Sequence, residues 1–164
     1  MLTRRAAISV LGAVALAPAA ALAQAPGRFR GVRVDVGPLR TNMGDDTANW
    51  VAGALPSALA ESLSPYLQPG DRRAPLLVAR IDFVYLGPNM GAGPFNSSQD
   101  TIEGSLIVQG ARGTPATEIP VRAISSYFPT PVDQPLRVES NRNRVTILAR
   151  SFAAWAPRQL GLTS

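Results

Sequence analysis

The stretch from Leu76 to Leu86 constrains this chain most. Leu77, Ala79, Ile81, Phe83 and Tyr85 share one parity, while Leu76, Val78 and Val84 share the other with Arg80 and Asp82. Period-two patterning over that length predicts a strand with one apolar face and one mixed face. Its backbone groups need partners on both sides, and the following segments can supply them. Thr101 to Gln109 and Glu118 to Phe128 pattern as two further strands, separated by a turn at Gly110–Thr114. The three together predict an antiparallel meander whose first connection is the long Gly87–Ser98 loop. Pro120 lies inside the last strand, which suits an edge or a bulge, because proline has no N–H to donate to a ladder.

Upstream, Gly31-Val32-Arg33-Val34-Asp35-Val36 alternates apolar and charged residues and predicts a half-buried strand. Gly37-Pro38 stops it, and a loop is expected through Asn42 to Asp46. Val51, Leu55, Leu59 and Leu63 then recur every four residues, with Trp50, Ala54 and Ala58 in a second row. This is the apolar face of a helix, with Asp45, Asp46 and Thr47 as N-cap candidates. Pro56 either kinks that helix or starts a second one. Beyond the stiff Pro129-Thr130-Pro131 crossover, Val145, Leu148, Phe152 and Trp155 mark a C-terminal helix. Trp50 and Trp155 are expected to anchor the core against the sheet.

The order β-α-β-β-β-α predicts an α+β fold. Two amphipathic helices on one face of a four-stranded, mainly antiparallel sheet make a two-layer sandwich that buries both apolar stripes. The sheet's other face, with Leu76, Val78, Val84 and Ile107, is expected to leave room for a partner.

The chain starts Met1-Leu2-Thr3-Arg4-Arg5, continues through an apolar run from Ala6 to Ala17, and reaches Ala21-Leu22-Ala23. A basic start, an apolar middle and small residues at the −3 and −1 positions predict an export signal cleaved between Ala23 and Gln24. Residues 1–23 are thus read as a signal and 24–164 as a single domain with its ordered core at about 30–160. The alanine-rich segment through Ala23 is interrupted by Gly12 and Pro18 and is too short for a retained span, so the mature form is expected to have no transmembrane segment. Arg4-Arg5 fits both the general secretory and the twin-arginine routes, and the choice stays open. Either route predicts a periplasmic product.

Removal of the signal takes Arg4 and Arg5 and no acid, so the net charge falls from +5 to +3. That is a modest charge for a domain and gives no reason to expect nucleic-acid binding. All basic residues are arginine, and the chain contains no His, no Cys and no Lys. It therefore lacks the usual general base, the usual thiol nucleophile and the preferred zinc and copper ligands. No catalytic residue, metal or cofactor is assigned on this reading. Ser125-Ser126 have no evident activator.

Three groups remain as binding candidates. Asn89, Asn96, Ser97 and Ser98 offer hydrogen bonds from the Gly87–Ser98 loop. Arg80 and Asp82 are neighbours on one strand face and could join Glu103 and Arg122 in a charged cluster. Arg144, Arg150 and Arg158, with Arg137 and Arg142 upstream, would give the last helix a basic outer face suited to anionic headgroups.

The element order, the Val32-Arg33-Val34-Asp35-Val36 strand, the Trp50-containing helix and the Arg80-Ile81-Asp82 strand resemble a class of small bacterial envelope proteins. The class includes the lipopolysaccharide-assembly and ABC-transport auxiliary lipoproteins and uncharacterised periplasmic domains. Those families carry a lipidated cysteine, which this chain lacks. Export, the missing catalytic residue types and this architectural resemblance together point to an exported, non-catalytic accessory protein that contacts an envelope protein or anionic lipid through the sheet face or an exposed helix. Two alternatives stand beside it: a small-molecule binding domain built on the Gly87–Ser98 loop, and a hydrolase using the carboxylates of Asp82 and Glu103.

Overall fold

The computed structural model describes residues 27–88, 98–110, 116–127 and 137–163. Strand β1 (Gly31–Asp35) pairs in parallel with β2 (Leu76–Tyr85). A parallel pair needs a crossover, and the helical residues between them provide it. Strand β3 (Ser98–Gln109) lies antiparallel to β2, and β4 (Thr117–Tyr127) antiparallel to β3, giving the order β1-β2-β3-β4. The α+β fold class, the four mainly antiparallel strands and the helical layer are as expected from sequence.

The crossover holds one helix more than predicted. Val36 ends the strand, and Gly37–Met43 forms a short helix, α1, with Pro38 in its first turn, where a missing N–H costs nothing. The segment expected to be a loop therefore buries Leu39 against the sheet. Gly44 separates α1 from α2 (Asp45–Ser62) by adopting φ +85°, a backbone that side-chain-bearing residues seldom take. Gly44 is also the N-cap, so Asp45 and Asp46 sit in the first turn instead of capping it. Their charge there suits the positive end of the helix. Pro56 lies within an unbroken α2, on its exposed side.

Helix α2 packs on β1 and on α3 (Arg137–Gln159), and α3 covers β3 and β4. Between the layers, Val51, Leu55 and Leu59 of α2 and Val145, Leu148 and Phe152 of α3 meet Leu77, Ile81, Ile102 and Leu106 of the sheet, all fully buried. Trp50 is half-buried against this core. Trp155, expected to be a core anchor, is instead 45% exposed, with the Arg158 guanidinium 5.5 Å over its ring. Phe152 and Ala156 hold the inward positions of that turn, which leaves Trp155 on the flank.

A bulge changes which residues of β2 face inward. The β2–β3 register runs Ile81↔Gly104 and then Phe83↔Glu103, so Asp82 is skipped. One unpaired residue flips the parity of everything after it. Val84 thereby enters the core, and Phe83 and Tyr85 turn to the opposite face, contrary to the expectation that they share a side with Leu77 and Ile81. Gly104 permits the bulge: a Cβ there would sit 2.1 Å from the Arg80 carbonyl oxygen.

Candidate functional site

All three helices lie on one face of the sheet, and no described element covers the other. The register arranges that open face in rows. Tyr85, Thr101 and Ile124 form one row across β2, β3 and β4, and Phe83, Glu103 and Arg122 the next. Arg80, Ser105 and Pro120 follow. Phe83 is 38% exposed, Tyr85 48% and Ile124 49%, so one end of the open face carries two aromatic rings and a branched aliphatic chain facing solvent. Thr101 lies between Tyr85 and Ile124 and is itself buried.

The charged residues beside this patch are paired among themselves. Arg80 Nε donates to Asp82 Oδ1 at 3.1 Å and Arg80 Nη2 to Glu118 Oε1 at 2.6 Å. Arg122 Nε lies 3.2 Å from Glu103 Oε1. The predicted foursome is thus two groups in adjacent rows, and Glu118 is a partner that sequence reading missed. It shares parity with Arg122, but only the β3–β4 register shows that it reaches Arg80. The Ser105 hydroxyl holds the Glu118 carboxyl below the usual carboxylate range, and the Arg80 charge acts in the same direction. Arg80 is held above its ordinary value, first by the nearby Asp82 charge. A shallow depression of about 430 Å³ lies over this ladder, lined by Asp82, Glu103, Ser105, Pro120 and Arg122 among others. Apolar rings bordered by self-paired charges suit contact with a surface that is itself part apolar and part polar.

The basic helix face expected from Arg144, Arg150 and Arg158 does not form as one surface. Arg158 lies on Trp155, and Arg150 lines a groove facing α2. Arg144 is only 4% exposed and points inward. Its Nε donates to Asp100 Oδ2 at 2.9 Å, and its Nη2 donates to Asp100 Oδ1 and, at 2.7 Å, to the Gly87 carbonyl. The Gly87 N–H closes the group by donating to Asp100 Oδ1 at 3.0 Å. The signal was present in the sequence: Arg144, Leu148 and Phe152 recur every four residues, which puts the arginine at the head of an apolar row.

The loop candidates divide differently. Ser98 is the first residue of β3, half-buried, with its Oγ 3.4 Å from Arg144 Nη2. It belongs to the framework that closes the loop. Asn89, Asn96 and Ser97 lie outside the described residues, as do Ala23 and Gln24 at the predicted cleavage site. Among the described residues, no three His, Cys, Asp or Glu side chains come together as a metal site, and no helix is long and apolar enough to cross a membrane.

No family model and no curated protein matches the sequence. Among solved structures, the chain is similar to a minor lipoprotein from Acinetobacter baumannii at 13% identity and TM-score 0.41, covering 78% of this chain and 91% of that one. It is also similar to rare lipoprotein B from Shewanella oneidensis at 12% identity and TM-score 0.38, covering 80% and 96% of the two chains.

Proposed function

We propose that this chain is an exported, non-catalytic accessory protein that docks on a protein of the bacterial envelope through the open face of its sheet. The observation that carries the reading is the patch of Phe83, Tyr85 and Ile124, three large apolar side chains placed together on a face that no described element covers. Among the described residues these three side chains fill no core position, since Val84 takes the inward place that the bulge opens on β2. Export is supported by the signal-like first 23 residues, and a binding role over catalysis by the lack of His, Cys and Lys. A protein partner is favoured over anionic lipid at this face, because Arg80 and Arg122 are already matched by Asp82, Glu118 and Glu103.

The test is recovery of partners from envelope extracts with the wild-type chain and with a Tyr85→Asp, Ile124→Asp double variant. Both side chains are about half exposed, so the variant keeps its fold, checked by its thermal melt. The reading predicts one or more envelope proteins retained by the wild type and lost by the variant. Equal retention by both would place the contact elsewhere.

A further inference from the structure

We propose a second docking site on the opposite side of the molecule: the groove between α2 and α3, seating an acidic helical segment of a partner protein. Both helices begin at the same end of the sheet. Helix α2 follows from the end of β1 through α1, and the early Arg144 of α3 reaches Gly87 and Asp100 at that same end. They therefore run side by side in the same direction. The groove along their solvent side has a volume of about 610 Å³.

Its floor and walls differ in chemistry. On the α2 side, Gly53 and Ser57, and beside them Ala54 and Ala58, put small residues on successive turns. A Cβ added at Gly53 would meet nothing within 4 Å, so the space above the floor is open. Small side chains allow a third helix to approach at the short end of the usual interaxial range, about 8 Å. On the α3 side stand Arg142 and Arg150, both exposed.

Neither arginine has a carboxylate partner among the described residues, whereas Arg40, Arg80, Arg122 and Arg144 each have one. The one acid lining the groove is Glu61, near the end of α2. The groove is thus a concave surface with two uncommitted cations, and its complement is negative.

Spacing selects the shape of that complement. Arg142 and Arg150 are eight residues apart on a helix, about 12 Å along its axis. Carboxylates seven or eight positions apart on a partner helix are separated by about 10–12 Å and fall on one face. A lipid surface fits less well, since acyl chains need a continuous apolar slot and here Trp50, Ala54 and Ala58 are interleaved with Asn49, Ser57, Glu61, Thr146 and two guanidinium groups. Helix-in-groove docking with charged flanks is the mode that the lining supports.

The probe is a helical peptide of about 18 residues, carrying glutamates at two positions seven apart on one face, with a glutamine version as control. Binding to the purified chain is followed by the fluorescence of Trp50, which lines the groove, in a Trp155→Phe background. The glutamate peptide should bind and the glutamine peptide should not. Arg142→Ala and Arg150→Ala should each weaken binding roughly two- to fivefold, as expected for exposed ion pairs. The Arg142→Glu, Arg150→Glu double variant should abolish binding, while Arg158→Glu, outside the groove, should leave it unchanged. Gly53→Leu should also block binding by filling the groove from the other wall, which keeps the test decisive if the charge-reversed chain folds poorly. Binding that survives both groove variants, absence of binding, or arginine-dependent binding to phosphatidylglycerol vesicles in preference to the peptide would each overturn the proposal.

Discussion

Arg144 on α3 and Asp100 on β3 form a two-pronged ion pair inside the protein, with Nε on one carboxylate oxygen and Nη2 on the other. The same guanidinium holds the Gly87 carbonyl, and the same carboxylate accepts from the Gly87 N–H. Since Gly87 follows β2 and Asp100 lies near the start of β3, this one pair ties the end of one strand, the beginning of the next and a helix together. Bidentate geometry and full use of both partners are what make a buried charge pair tolerable.

Removing one partner should therefore be costly. Arg144→Ala or Asp100→Ala should each destabilise the fold by about 3–5 kcal/mol, because each leaves an uncompensated buried charge. The paired change Arg144→Ala with Asp100→Ala should cost clearly less than the sum of the two single changes, since neither charge is then left buried alone. Urea melts of the four proteins, analysed as a double-mutant cycle, measure the difference.

Two glycines should respond in opposite directions. At Gly104 an added Cβ would lie 2.1 Å from the Arg80 backbone oxygen, which has little freedom to yield. Gly104→Ala should cost more than about 2 kcal/mol, as expected of a steric conflict with backbone. Gly53 lies within α2 with open space around it, so Gly53→Ala should stabilise by about 0.5–1 kcal/mol through helix propensity and reduced unfolded-state freedom. Thermal melts of both variants check the contrast in sign.

Pro56 gives a related prediction. It occupies the interior of α2 on the exposed side, where it removes a helical hydrogen bond. Pro56→Ala should raise stability by roughly 1–3 kcal/mol, read from the urea midpoint. A fall in stability would mean that α2 needs the bend that proline imposes.

The layout of the layers was legible from period-two and period-four patterning, since Leu77, Ile81, Leu55, Leu59 and Leu148 all lie where their spacing put them. What the pattern could not carry was the bulge. Phe83 and Tyr85 continue the alternation of Leu77, Ala79 and Ile81, and only the close approach of Gly104 to Arg80 shows that the strand slips there. Reading α1 as a loop had a similar cause, because seven residues with one buried leucine leave no periodicity to count. At the site, Arg80 and Asp82 were found by adjacency on one strand, while Glu118 needed the pairing register. Arg144 was misassigned because its charge outweighed its place in the row of Leu148 and Phe152.

The charge ladder makes a pH prediction with a definite sign. Folding holds the Glu118 carboxyl below its ordinary value, chiefly through the Ser105 hydroxyl. The folded state thus favours the ionised form, and its contribution is complete above the ordinary glutamate value of about 4.3. It fades as pH falls through the lower folded value. Glu118→Gln should narrow the difference in Tm between neutral and acidic pH. The effect should be small, because the pair is exposed to solvent. Comparing melts of both proteins across that window checks it.

The central claim is that the open face of the sheet is where an envelope protein binds. A photo-crosslinking residue placed at Tyr85 in living cells tests this most directly, with the same residue at Arg158 as the control on another surface. A discrete protein adduct is expected from position 85, absent from position 158 and abolished by Ile124→Asp. No protein adduct from position 85, or one that persists unchanged with Ile124→Asp, would contradict it.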